Sequence, residues 1–214
     1  MRRYWFAEFE HYPDRYRLEV VAPIQNKLGA LLSDPTLYRI LVKPAVDLRL
    51  RSIMDEGGVL LVNLSKGQLG EDSAATLGGL LVSTLGVAAL SRADAPPESR
   101  RPFYAYVDEF QSFTTLAFAT MLAEVRKYGL GLTLAHQYLA QLEPDVRHAV
   151  LANAGTLASF RVGAEDAVIL AQELQPTFGV EDLLTLPNHH FYLKLLIDDA
   201  PSKPFSARTF PRAA

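Results

Sequence analysis

From residue 56 onward, short apolar runs alternate with longer segments whose apolar residues recur at helical spacing. The runs are Val-Leu-Leu-Val-Asn-Leu at 59–64, Phe-Tyr-Ala-Tyr-Val at 103–107, Leu-Thr-Leu-Ala-His-Gln at 132–137, Thr-Leu-Ala-Ser-Phe-Arg at 156–161 and Phe-Tyr-Leu-Lys-Leu-Leu-Ile at 191–197. Runs of this length predict strands, those without alternating polar residues being buried on both faces; the segments at 72–92, 114–128, 145–152 and 165–174 predict helices. Strand and helix in alternation predict an α/β domain, a mainly parallel sheet wrapped by helices. Upstream, 17–32 carries helical spacing. Asp34-Pro35 then joins a capping residue to a proline at the first helical position and opens a helix toward 42, and 47–54 gives a third piece. The expected division is a helical segment over 1–55, the α/β region over 56–200, and an extended, loosely attached tail over 201–214 containing Pro201, Pro204 and Pro211.

Composition narrows the class. The chain has 214 residues, 49% hydrophobic and 21% charged, enough for a sizeable core and unlike a disordered chain. With 21 basic against 24 acidic residues, no whole-surface positive field draws in nucleic acid, so any DNA contact is local or made by an assembly. There is no cysteine, which excludes disulfides and thiolate metal sites and is compatible with a reducing cytosol. The first twenty residues lack the continuous apolar stretch of a signal peptide, and the mature chain is expected to start here. Residues 73–91 contain no charge and approach membrane-spanning length, but three glycines and several Ser/Thr, with no flanking Trp or Tyr, predict instead a helix buried against a sheet.

Candidate chemistry gathers at strand ends. In a parallel α/β sheet, a strand ending in Asp108-Glu109 delivers both carboxylates to the carboxyl edge, where such sheets place ligands. In nucleotide-hydrolysing folds the first acid holds Mg²⁺, usually through water, and the second polarises the water that attacks the terminal phosphate. The same pair also arises as solvent-facing acids favouring the amino end of a following helix. Gln137 ends the strand after Leu-Thr-Leu-Ala-His, and a neighbouring position would bring it near Glu109, although a glutamine there can simply cap a turn. Arg126 and Lys127 fall at a helix end, where cations complement the helix dipole; alternatively, Arg126 is presented to a neighbouring subunit's nucleotide. His189-His190 point to opposite faces of a strand and lack a third ligand, so a turn accounts for them better than a metal. Asp198-Asp199 reads as a turn, and the aromatic cluster Tyr4, Trp5, Phe6, Phe9 and Tyr12 reads as packing, since Glu8 and Glu10 would repel a nucleic-acid backbone.

Taken together, Tyr-Val-Asp-Glu-Phe-Gln, Arg-Lys-Tyr-Gly, Leu-Ala-His-Gln-Tyr-Leu-Ala-Gln-Leu and Asn-Ala-Gly-Thr-Leu-Ala-Ser-Phe-Arg-Val-Gly-Ala-Glu-Asp-Ala closely resemble the carboxyl-terminal half of the motor domain in conjugative DNA-transfer ATPases. These are the coupling proteins of type IV secretion, relatives of the HerA and FtsK DNA pumps, and the resemblance runs over about 18–205. It implies a truncated RecA-like P-loop NTPase core that works with ATP and Mg²⁺ as a hexameric ring around DNA. By the same resemblance Asp108 and Glu109 match the Walker B pair, with Mg²⁺ on Asp108 through water. Gln137 matches the glutamine of the next motif, and Arg126 the arginine acting across the subunit interface. Arg161 is a second candidate for interface or phosphate contact, or else pairs with Glu165 or Asp166. The implied partners are DNA and the secretion channel or relaxosome. The implied location is cytoplasmic, at the inner face of the membrane through sequence or partners this chain lacks.

One part of the pattern is missing. No Gly-x-x-x-x-Gly-Lys-[Ser/Thr] occurs, and in the nearest glycine-rich stretch, 65–72, the lysine precedes both glycines and two acids follow. The chain therefore reads as a carboxyl-terminal portion, expected to bind ATP weakly and not to hydrolyse it alone. The alternative is a non-catalytic α/β module that binds or assembles with a secretion or DNA-transfer complex.

Overall fold

The computed structural model describes residues 6–7, 9–114 and 116–210. The chain divides into two compact units, residues 1–49 with 60–78, and residues 50–59 with 79–214. Tyr4, Trp5 and Glu8 of the amino-terminal cluster, and Pro211, lie outside the described residues.

The first unit contains helices α1 (Asp14–Ser33) and α2 (Pro35–Leu41), matching the expected pair. Asp34 separates them: its Oδ1 accepts the Thr36 and Leu37 amides at 2.7 and 3.1 Å, and its Oδ2 accepts the Ser73 hydroxyl at 2.7 Å. The bond from Ser73, with the Leu37 amide next, holds the Asp34 carboxyl below its ordinary range. The apolar run at 59–64 is not a strand. No described segment pairs with its backbone, and Val59 and Leu61 are 86% and 91% exposed, whereas a strand needs a neighbour to take up its N–H and C=O groups.

The second unit carries α3 (Leu50–Glu56), so residues expected in the amino-terminal helical segment belong here instead. Helix α5 (Glu71–Ser91) follows the short α4 (Lys66–Leu69) and enters this unit at residue 79. With the turn after it, α5 is the one helix among the described residues long and apolar enough to cross a membrane. Inside the second unit its Val82, Ala88 and Ala89 are buried, and Gly86 lies where any Cβ would collide with Met121 Sδ, so α5 packs closely on α6 (Leu116–Leu122). The helix expected to reach residue 128 stops at α6, and a 3₁₀ turn, Val125–Tyr128, ends at Gly129 with φ 75°.

Strands β1 (Phe103–Val107) and β2 (Leu130–Leu134) pair in parallel, Phe103 with Leu130 through Val107 with Leu134. One face of β1 is open, Tyr104 and Tyr106 being 66% and 77% exposed, so the apolar run is not buried throughout. After α7 (Pro144–Asn153) come β3 (Leu157–Ser159), α8 (Ala164–Leu174), α9 (Val180–Thr185), β4 (His190–Lys194), the hairpin β5 (Leu196–Ile197) and β6 (Ala200–Pro201), and β7 (Phe205–Arg208). The fold is α/β with a parallel pair, but β3-β4-β7 form an antiparallel sheet. Two packed helices rather than one separate β3 from β4, and the second returns the chain in the opposite sense. Within the tail, residues 205–208 are held as β7, which hydrogen-bonds along β4 from His190 to Leu193.

A buried arginine fixes the amino edge of the parallel pair. Arg92, 1% exposed, donates from Nε to Asp55 Oδ1 at 2.9 Å, from Nη1 to the Tyr128 carbonyl at 2.8 Å and from Nη2 to the Arg101 carbonyl at 2.7 Å. The two carbonyls lie just ahead of β2 and β1, so one guanidinium sets both strand starts. Arg100 assists, donating to the Arg92, Ala95 and Lys127 carbonyls and lying 5.1 Å over the Tyr128 ring. Gly129 is required beside it: at positive φ, a Cβ would lie 3.2 Å from Arg92 Nη1. Replacing Arg92 with Met leaves two carbonyls without a buried donor, and we expect a loss of about 3 kcal/mol in urea unfolding. A loss under about 1 kcal/mol would show that the strand starts are held by something else.

Candidate active site

The ladder between β1 and β2 continues past its last paired residues. The Ala135 amide donates to the Val107 carbonyl at 3.0 Å, and the Phe110 amide to the Ala135 carbonyl at 3.1 Å. These bonds set Asp108-Glu109 and His136-Gln137 side by side at the carboxyl edge. Glu109 takes a left-handed backbone, φ 51° and ψ 39°, which turns the chain sharply into the 3₁₀ turn Phe110–Phe113. Its amide donates to Asp108 Oδ1 at 3.0 Å, and buried Phe110 anchors the turn in the core against Phe118, ring centroids 6.2 Å apart.

The juxtaposition expected from the sequence is present: Gln137 Nε2 donates to Glu109 Oε1 at 2.7 Å. The other carboxylate oxygen, Oε2, accepts from Gln111 Nε2, a residue that sequence reasoning passed over. The available signal was its place two residues after Glu109, on the turn the left-handed residue creates. Gln111 Oε1 is buried with no partner among the described residues. Both Glu109 oxygens therefore accept an amide donor, and each keeps a further lone pair open to a water or another donor.

Asp108 is exposed. Among the described residues no group of three or more His, Asp or Glu is placed to hold a metal. A lone exposed carboxylate suits Mg²⁺, which keeps several waters and takes its remaining ligands from phosphate oxygens.

Two predicted residues lie elsewhere. Arg126 sits on the 3₁₀ turn before β2, at the opposite end of that strand from Gln137. It donates to Asp199 Oδ1 at 2.9 Å, both side chains being mostly exposed. Asp198 and Asp199, with φ of 50° and 60°, form the tight turn between β5 and β6 that carries this carboxylate. Arg161 is exposed and bonds Asn188 Oδ1 at 3.1 Å, beside a shallow cavity of about 170 Å³ shared with His189 and His190. It does not pair with Glu165 or Asp166: Asp166 is turned into the core, where Oδ2 accepts the Leu139 amide at 2.8 Å. Within the glycine-rich stretch 65–72, Lys66–Leu69 form α4, and Lys66 Nζ is paired with Glu71 Oε1 at 3.1 Å.

No protein-family model and no curated protein matches the sequence. Among solved structures, the unbound bacterial conjugative coupling protein TrwBdeltaN70 superposes with a TM-score of 0.64 at 19% identity, over 86% of this chain and 48% of its own. The plasmid coupling protein TrwB in complex with ADP and Mg²⁺ gives 0.64 at 19% identity over 89% and 49%, and its complex with the ATP analogue ADPNP gives 0.60 at 19% over 86% and 49%. The fold is that of a conjugative coupling protein. The chain spans about half the length of these coupling-protein structures.

Within this coupling-protein fold, His136 was also missed by sequence reasoning. Its ring meets Phe110 edge to face, centroids 5.2 Å apart at 79°. Burial lowers its pKa from the ordinary 6.5, against smaller upward effects of Asp166 and Glu109. The sign follows directly: below 6.5 the unfolded chain takes up a proton before the folded one, so acidification between 6.5 and the lower folded value favours unfolding. Urea unfolding of the native protein should show stability falling from about pH 7.5 to about pH 5.5, and His136→Gln should flatten that fall. Identical slopes in the two proteins would contradict a half-buried imidazole with a lowered pKa.

Proposed function

We propose that this chain supplies the water-activating edge of a DNA-translocating ATPase of conjugation and type IV secretion, as the carboxyl-terminal portion of its motor. The observation that carries the reading is the hydrogen bond between Gln137 and Glu109 at the carboxyl edge of the parallel pair, with Asp108 adjacent. In this reading Asp108 holds Mg²⁺ through water, and the ion neutralises phosphate charge when bound. Glu109 polarises the attacking water. Gln137 exchanges its bond to Glu109 for one to the terminal phosphate or the water, and so reports nucleotide state. Arg126, on an exposed turn remote from that edge, reaches the nucleotide of a neighbouring subunit in a hexameric ring that encircles DNA, and Arg161 contributes an interface or phosphate contact. Secretion-channel or relaxosome components are the partners in this reading, with the assembly in the cytoplasm at the inner face of the membrane.

ATP and Mg²⁺ are held fully only once a phosphate-binding loop is supplied by another polypeptide segment, since positioning is most of what phosphoryl transfer requires. A second reading, a non-catalytic assembly module, draws on the open face of β1 at Tyr104 and Tyr106 and on the absence of that loop from the sequence.

The test is ATP hydrolysis with and without the phosphate-loop half of a coupling protein, joined upstream or added separately. The chain alone should show no turnover, and the completed protein should hydrolyse ATP faster with DNA present. Glu109→Gln should then lower kcat by about 10²–10⁴-fold, and Arg126→Ala by about 10³-fold or more. Mixing Arg126→Ala subunits with Glu109→Gln subunits should restore part of the activity. A completed protein that binds partners yet never hydrolyses ATP would favour the assembly module.

A further inference from the structure

Asp166 is a buried acid with no place in the sequence-derived site. It stands on the third residue of α8, and among the described residues only Arg92, Ser159 and Asp166 are buried polar or charged groups. A carboxylate removed from water is costly unless its oxygens are engaged. Asp166 is 5% exposed, and Oδ2 takes the amide of Leu139, itself 2% exposed, at 2.8 Å. Leu139 begins the 3₁₀ turn Leu139–Gln141, two residues beyond Gln137. Between them Tyr138 is fully extended, φ −153° and ψ 147°, so the chain from Gln137 to the anchored amide has no slack turn in it. On the other side, Ala135 is fixed by its bonds to Val107 and Phe110. The segment 136–138 is thus strung between two fixed points, the β1–β2 ladder and the carboxylate of α8.

We propose that Asp166 is a positioning residue for Gln137: by holding the Leu139 amide it sets the reach of the Gln137 side chain to Glu109 and ties that contact to the orientation of α8. Its functional meaning rests on the hydrolysis reading above, with α8 as the element that moves when Gln137 changes partner. The carboxylate is suited to this part because a charged acceptor binds a backbone amide more strongly than a neutral one. Helix α8 can carry the displacement onward because its Ala167, Leu170, Ala171 and Leu174 form one buried face with Asp166. Asp166 touches no reacting group and is not a catalytic residue.

The test needs no nucleotide. In the native chain, the Leu139 amide should exchange with solvent far more slowly than the Tyr138 amide. The Gln137 side-chain NH₂ resonances should shift when Glu109 is changed to Ala. In Asp166→Ala, that response to Glu109→Ala should be lost while the chain stays folded, and Asp166→Asn, which keeps volume and an acceptor oxygen, should retain it. An undiminished response in Asp166→Ala would overturn the proposal. If Asp166→Ala does not fold, rapid exchange of the Leu139 amide in the native chain, or a lost response in folded Asp166→Asn, would overturn it equally, and the converse results would support it. Because the readout is the Gln137 contact itself, failure of ATP turnover in a completed motor would leave this inference standing. Loss of the inference would likewise leave the hydrolysis reading to its own test.

Discussion

The candidate site depends on one guanidinium about a strand's length away from it. Arg92 donates to the carbonyls that precede both β1 and β2, and in doing so sets where each strand begins. Parallel strands have no hairpin to fix their register, so something must hold their first residues level. Once they are level, five residues of ladder carry the register to the far end, where Glu109 and Gln137 arrive opposite one another. A slip of one residue would send Glu109 to the other face and dissolve the pair. The arrangement at the carboxyl edge is therefore inherited from a buried guanidinium, its partner Asp55 and two carbonyls at the amino edge.

Much of this was legible from local pattern. Asp34-Pro35 marked a helix start correctly, the run at 103–107 marked β1 at its observed bounds, and the spacing of Asp108, Glu109 and Gln137 placed them at one sheet edge. What failed was whatever depends on partners distant in sequence. The run at 59–64 has every local property of a strand, yet no described neighbour takes its backbone bonds. The last strand, β7, comes from a proline-flanked tail that reads as irregular and is ordered only because β4 offers an edge. Within the site, Gln111 and His136 look like ordinary turn and strand residues until the left-handed turn at Glu109 brings Gln111 back to its carboxylate and sets Phe110 against the His136 ring. Asp166 could have been found: it shares a face with Leu170 and Leu174 at helical spacing, an unusual position for an acid.

Glu109 is hydrogen-bonded through both carboxylate oxygens. Two glutamine amides occupy its oxygens, and Arg126 is engaged by Asp199 at the opposite end of β2. The Arg126–Asp199 pair is exposed, and pairs of this kind are weak. The buried contacts are otherwise: Arg92 holds the Tyr128 and Arg101 carbonyls besides the Asp55 carboxylate, and Asp166 holds the Leu139 amide. Buried contacts to backbone thus stand apart from the side-chain contacts around Glu109 and Arg126, within a fold shared with the coupling-protein structures.

The left-handed backbone at Glu109 has a consequence for how this protein could drift or be engineered. That conformation costs a residue with a Cβ about 1 kcal/mol, a penalty that glycine escapes and asparagine or aspartate partly escapes. Selection for robustness alone would therefore favour erasing the very side chain on which water activation is proposed to rest. A lineage released from that duty should lose this glutamate early and become sturdier for it.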